Sequence, residues 1–235
     1  RQKSASRRVH RASSALSMSA LGGKEIAVLI RGLTLLLLFS AVFTAAFAQP
    51  PATGAGRTVD TITITRGFGE TVLMTLPPGW KAGYSGKQGE VLLTEYVPAG
   101  ETVPYWSEMA TVQVFRGLAR QEKFRLGDLL NAGAVMMKNV CARDYIAQSL
   151  GEGQVDGRPA VFGLIGCGRA PAAAPAGLRQ GDSELALYVA IGGRDDIYVI
   201  TRSRRGPGMD RAAYPRQTLK PWQAFVNSIR ICDMN

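Results

Sequence analysis

The chain has 235 residues, 28 of them Lys or Arg and 18 Asp or Glu, for a net charge of +10. Its one histidine, His10, falls in a stretch read below as a leader, so the remainder has no residue for Ser-His-Asp or Cys-His catalysis, a histidine zinc site or a histidine pH switch. Residues 1–48 also hold seven basic residues against one acidic (Glu25), which leaves 21 and 17 beyond them, a net of +4 that gives little support to a nucleic-acid partner.

The first 17 residues, "RQKSASRRVHRASSALS", are polar and basic without apolar periodicity and are set aside from fold reasoning. Gly32 to Ala48 carries no charge, is flanked by Lys24 and Arg31, and ends in Ala46-Phe47-Ala48, the small-x-small form of a signal peptidase site. Pro50 and Pro51 then stop any helix. The reading is a leader and signal peptide over 1–48, cleaved after Ala48. The alternative is a retained anchor, for which the run is short of the roughly 20 apolar residues a span needs. "QPPATGAGR", residues 49–57, reads as a flexible tether. Residues 58–235 are long enough for one globular domain.

Four strands are predicted first: "TVDTITITR", "ETVLMTLP", "GEVLLTEYVP" and "SEMATVQVF", with Pro77-Pro78-Gly79 as a turn ahead of Trp80. The period then changes. From Phe124 to Val140, Leu126, Leu129, Leu130, Gly133, Ala134, Met137 and Val140 recur at helical spacing, and Gly133 would permit close approach to a sheet. Two hairpins follow, one about Gln154–Gly157 and one about Gly193-Arg194, separated by the Pro/Ala/Gly loop "GRAPAAAPAGLRQGD". "SELALYVAIG" is apolar on both faces and so expected to be covered on both. A second helix is predicted from Thr218 to Ile231, with Leu219, Trp222, Val226 and Ile229 in a stripe. Together these imply an α+β fold, an antiparallel sheet of about eight strands with helices packed on both faces.

This order, with "LPPGW" entering the first loop and "WQAFVNSIRIC" in the closing helix, resembles the PsbP-like fold, used by photosystem extrinsic subunits and a Ran-binding nuclear import factor. "YVPAGETVPYWSEMATVQVF" and "GGRDDIYVITRS" also resemble a group of exported bacterial proteins. The resemblance covers most of Thr58 to Cys232, carries no catalytic motif, and implies a protein that binds or assists assembly. Fold alone does not license more.

For chemistry, "GYSGK" (Gly83 to Lys87) is a hydrolase-like string, but it has Lys87 where a nucleophile elbow needs glycine and no helix pattern after it; it reads as a Gly/Ser turn. Cys141, Cys167 and Cys232 contain no C-x-x-C, which removes zinc-ribbon and redox-motif readings. Hairpin pairing sets Cys167 across from Arg143, two residues from Cys141, so these two are the expected disulfide, with Cys232 the alternative partner for either. The acidic candidates are Glu95, Glu101 and Glu108 and the hairpin pair Asp195-Asp196, otherwise solvated loop and turn residues, with Glu101 and Glu108 beside Tyr105 and Trp106 the foremost; the basic ones are Arg202, Arg204 and Arg205, otherwise a solubilising sheet edge. Trp80 and Trp106 follow turns, where an aromatic plugs a sheet end or lines a pocket.

Three functions remain. One is an exported, periplasmic or extracellular, non-enzymatic module that binds a protein or envelope component. Another is a small-ligand carrier with a pocket under Trp80, Tyr84, Tyr105 and Trp106 and an arginine at its mouth. The third is an enzyme working through Glu101 and Glu108. No metal, cofactor or nucleic acid is expected, and no membrane span after signal cleavage.

Overall fold

A computed structural model of the chain describes residues 60–172, 174, 177–213 and 222–234. The segments read from the sequence as leader, signal and tether, residues 1–57, lie outside them. Among the described residues ten strands form two antiparallel sheets. The smaller has the order β1-β2-β10, with β1 at Thr61–Arg66, β2 at Glu70–Leu76 and β10 at Arg230–Asp233. The larger has the order β3-β4-β5-β9-β8-β7-β6. Its strands are β3 (Trp80–Gln88), β4 (Val91–Pro98), β5 (Glu108–Phe115), β6 (Arg143–Val155), β7 (Arg158–Arg169), β8 (Ser183–Gly192) and β9 (Ile197–Gly206). Helix α1 spans Leu126–Val140, and residues 222–228 are helical (α2). Among the described residues no helix is long and apolar enough to cross a membrane.

This is an α+β molecule with an antiparallel framework, but the single sheet of about eight strands must be corrected to ten strands in two sheets. Two local signals were misleading. The first is "GYSGK", which is not a turn: it lies inside β3, paired with β4. Strand propensity there is weak, and pairing to the neighbouring strand overrides it. Gly83 marks a register shift between Ala82 and Tyr84, and a Cβ on it would sit 2.9 Å from Val103 and 3.1 Å from Val97, so glycine is required there by close approach of the following loop. The second is the closing helix, which ends at 228. Ile229 and Ile231 are both buried, but Ile229 closes the helix end through its N–H on the Val226 carbonyl at 3.1 Å, and Ile231 lies in β10, opposite Val72 of β2.

The small sheet also inverts a simple hydrophobic expectation. Thr63 and Thr65 face inward, donating to the Met74 carbonyl at 3.2 Å and sharing a hydrogen bond with the Tyr96 hydroxyl at 2.8 Å. Ile62 and Ile64 face solvent. The hydroxyls are tolerated inside because both have partners.

The larger sheet buries both faces. Val112, Val114, Leu187, Val189, Tyr198 and Ile200 point to one side, where Val72, Met74 and Leu76 of the small sheet and Trp222 and Phe225 of α2 meet them. Phe115, Ala190, Ile197 and Val199 point to the other, against Leu129 and Leu130 of α1. Both faces of β8 are covered, as its composition implies. Helix α1 lies over β6, β7 and β8 and leaves β4, β5 and part of β9 outside its shadow. Gly133 explains how closely it lies: a Cβ there would be 3.1 Å from the Tyr188 ring. Its N-terminus is closed by Asp128, which accepts from the Arg125 backbone N–H at 3.0 Å.

The first hairpin turns on two residues, Asp156 and Gly157, both at positive φ, the geometry that matches the twist of antiparallel strands. That tight turn and a bulge between Ser149 and Gly151 move the register, so that Cys167 faces Tyr145 rather than Arg143. The disulfide is nevertheless Cys141–Cys167, with a Cα–Cα distance of 5.3 Å. Cys232 is a free, exposed thiol on β10.

Candidate functional site: a polar-floored cavity beside the helix

Because α1 covers only half of its face of the sheet, a cavity of about 230 Å³ remains beside it. Antiparallel register explains its floor. Tyr84, Glu95, Thr111, Thr201 and Tyr188 are successive Cα partners across β3, β4, β5, β9 and β8, so their side chains form one polar row on one face. All but Tyr84 line the cavity, and Gln113 and Ser203 flank the row. The walls are apolar: Met136, Met137 and Val140 from α1 on one side, Val103, Pro104 and Trp106 from the β4–β5 loop on the other.

That loop is held rigidly. Glu101 accepts from the Ser107 N–H at 2.7 Å and its hydroxyl at 2.6 Å, Thr102 and Tyr105 exchange backbone hydrogen bonds, and the Arg205 N–H donates to the Ser107 carbonyl at 2.7 Å. Arg205 is the strongest anchor at the rim. Its guanidinium lies 3.8 Å from the centroid of Trp106, donates to Glu184 at 2.9 Å, and reaches the Pro104 carbonyl at 3.4 Å. Glu184 and Arg205 face each other in register, which makes their pairing a product of strand alignment.

The polar groups on the floor are less well served. The hydroxyls of Thr111, Thr201 and Ser203 make no hydrogen bond to another described residue and open into the cavity, since they are not among the enclosed polar atoms left without a partner. Glu95, half-buried, has neither an ion pair nor a side-chain hydrogen bond among them. Burial raises its carboxyl to about 7, with the Arg205 charge pulling the other way. Burial, with the Glu184 charge adding, holds the Tyr188 phenol well above its ordinary range. A carboxyl poised near neutrality in a cleft marks a site with chemical capacity.

The residues singled out from sequence are distributed differently. Trp80 lies on the opposite face of the larger sheet, its ring 4.1 Å from the Arg202 guanidinium, which also pairs with Glu108. Trp106 lines the cavity. Tyr84 and Tyr105 are exposed. The four rings therefore do not enclose one pocket, and the Glu101 and Glu108 carboxylates are occupied by Ser107 and Arg202. The three arginines are not on an edge: β9 lies between β5 and β8, and strand alternation sends Arg202 to one face and Arg205 to the other, with Arg204 exposed. Sequence reasoning named Glu95 as an acidic candidate but read it as a solvated loop residue, whereas it lies in β4, and it missed Thr111 and Thr201. Each sits in a strand of otherwise ordinary alternation, and only register brings them together.

Among the described residues no three His, Cys, Asp or Glu side chains converge as metal ligands. No protein-family model matches the chain, and no curated protein matches it. The solved structures to which the chain is similar include the following. The Saccharomyces cerevisiae Ran-binding protein Mog1p matches with a TM-score of 0.44 and 14% identity over 75% of this chain and 97% of that one. LpqN, involved in cell envelope biogenesis of Mycobacterium tuberculosis, matches at 0.38 and 10%, over 75% and 92%. A Bacteroides thetaiotaomicron protein matches at 0.35 and 9%, over 70% and 45%. At these scores and identities the likenesses carry no argument about what this chain binds.

Proposed function

We propose that the chain is an exported binding module whose binding site is the cavity between α1 and the β4-β5-β9-β8 face. The observation that carries the reading is the polar row of Glu95, Thr111, Thr201 and Tyr188 lining a cavity whose walls are otherwise apolar. A concave, mostly apolar cleft with a few placed polar groups is the usual form of a small-molecule site. The volume suits a molecule smaller than drug-sized ligands, whose sites run from about 300 Å³ upward. Export is supported by the Cys141–Cys167 disulfide, which belongs to an oxidising compartment, together with the uncharged segment from Gly32 to Ala48. Of the functions open from the sequence, this joins the binding module to the small-ligand carrier and moves the pocket to Trp106 and Arg205.

The test is a nuclear magnetic resonance titration of the purified protein with small amphiphilic molecules, observing the methyl groups of Met109, Met136 and Met137. Shifts confined to these methyls, abolished by the cavity-filling Thr201→Phe, are expected. Binding that survives Thr201→Phe unchanged, or a set of methyls that no molecule perturbs, removes the assignment.

A further inference from the structure

The charges inside the cavity do not balance. Arg205 is committed to Glu184, to the Pro104 carbonyl and to the face of Trp106, so it has little left to offer an anion. Glu184 is held by the same contact. Glu95 is left as the single carboxylate without an ion pair, and the cavity carries one net negative charge when it is ionised. Beside it in register stand the hydroxyls of Thr111 and Thr201, both free to accept. A carboxylate and two hydroxyls on three successive strands make a row of three acceptors, each about 5 Å from the next between Cβ atoms, with Thr111 in the middle and the long Glu95 side chain reaching back along the row. An ammonium group has three donors and no acceptor. The surrounding walls offer methionine and aliphatic carbon, which suit an unbranched chain and reject a second charge.

We propose that the ligand of this cavity is a primary ammonium on a short apolar stem, with its nitrogen among Glu95, Thr111 and Thr201 and its stem against Met136 and Met137. The proposal rests on the cavity being the binding site. The ammonium chemistry occurs both on free alkylamines and on the lysine side chain of a peptide, and the two are separable by size.

The other groups facing Glu95 are Arg205 from β9, Glu184 and Tyr188 from β8, and Tyr84 across β3; α1 and the loop wall present none that titrates there. Glu95 is protonated in the free protein below about 7 and ionised above. A cation favours the ionised form, so its affinity rises with pH through that region, and binding below it releases a proton.

The experiment is calorimetric titration of the purified protein at pH 6 and pH 8 with hexylamine, hexanol, hexanoate and a lysine capped by acetyl and amide groups. An amine, whether hexylamine or the capped lysine, is expected to bind about tenfold or more tightly than hexanol at pH 8, with the margin shrinking at pH 6. Glu95→Gln is expected to abolish the margin while hexanol binding persists, which also shows that the variant is folded. The tighter of the two amines names the source. Hexanol binding as well as both amines, or hexanoate binding best, overturns the ammonium assignment and leaves the cavity as a binding site. Failure of all four overturns both.

Discussion

Glu95 shows how much of a residue's chemistry is set by what lies across from it. Its neighbours in sequence, Thr94 and Tyr96, face the other side of the sheet, and its working environment is Thr111 and Thr201 on the next strands. Its folded value near 7 lies above the unfolded carboxylate value of 4.5, so it is a group whose protonated form is favoured by folding. Its contribution is fully present below about 4.5 and is lost as pH rises through about 7. Above that, the charge costs stability. Glu95→Gln is therefore expected to stabilise the protein at pH 8 by on the order of 2 kcal/mol, and to have little effect at pH 4, read from urea unfolding at the two pH values. An equal effect at both would show that the carboxyl is not buried in its charged form. The arginines of 202–205 make a second contrast. Arg202 is buried between Trp80 and Glu108, whereas Arg204 is exposed. Arg202→Met is expected to cost about 1 to 3 kcal/mol, because Glu108 loses its partner, and Arg204→Met to stay within about 0.5 kcal/mol.

Among the elements, α1 defines the cavity because it lies low on half of the sheet face. Gly133 sets that height, and the Cys141–Cys167 bond pins the helix's C-terminal end to β7 beside Met137 and Val140. A loop of 26 residues closed in this way gives about 3 kcal/mol in the chain-entropy account. Replacing both cysteines by serine is expected to lower the unfolding free energy by about that amount and to weaken ligand binding, since one wall loses its anchor. Loss of stability without loss of binding would show that the wall is held by packing alone. Gly133→Val forces the helix off Tyr188 and is expected to cost about 1 to 3 kcal/mol by overpacking, checked by thermal unfolding.

At the scale of the whole molecule, the two sheets meet through a buried polar junction as well as through the apolar core. Glu70, 2% exposed, accepts from the Tyr198 hydroxyl at 2.9 Å and from the Arg194 N–H at 3.3 Å, and its other oxygen meets Arg158 as an ion pair without the alignment of a hydrogen bond. Burial, with Glu70 adding, holds the Tyr198 phenol well above its ordinary range. One carboxylate thus ties β2 to the starts of β7 and β9. Glu70→Ala leaves a buried arginine and a buried phenol without their partner and is expected to cost about 3 to 5 kcal/mol. Unfolding should remain a single transition in the wild type, since one apolar cluster contains Val72, Val112 and Trp222 together. A separate early transition of the small sheet would contradict that.

The positions of α1, of both long hairpins and of the strands around Leu93, Val112 and Leu73 were legible in the sequence because each rests on a local period that a single element satisfies. The closing helix and "GYSGK" were misread because the deciding partners, β2 and the loop at Val103, are distant in the chain. The disulfide pair was legible although its register was not, since a bridge tolerates a shift of two residues when the intervening backbone bends. What the sequence determined alone was therefore the local periods, the pairing of Cys141 with Cys167 across one hairpin and the absence of histidine beyond residue 10. Which carboxylate stands alone in a cavity was decided by tertiary structure, because alternation assigns a side chain to one of two faces but only strand pairing and the placement of α1 say what that face meets.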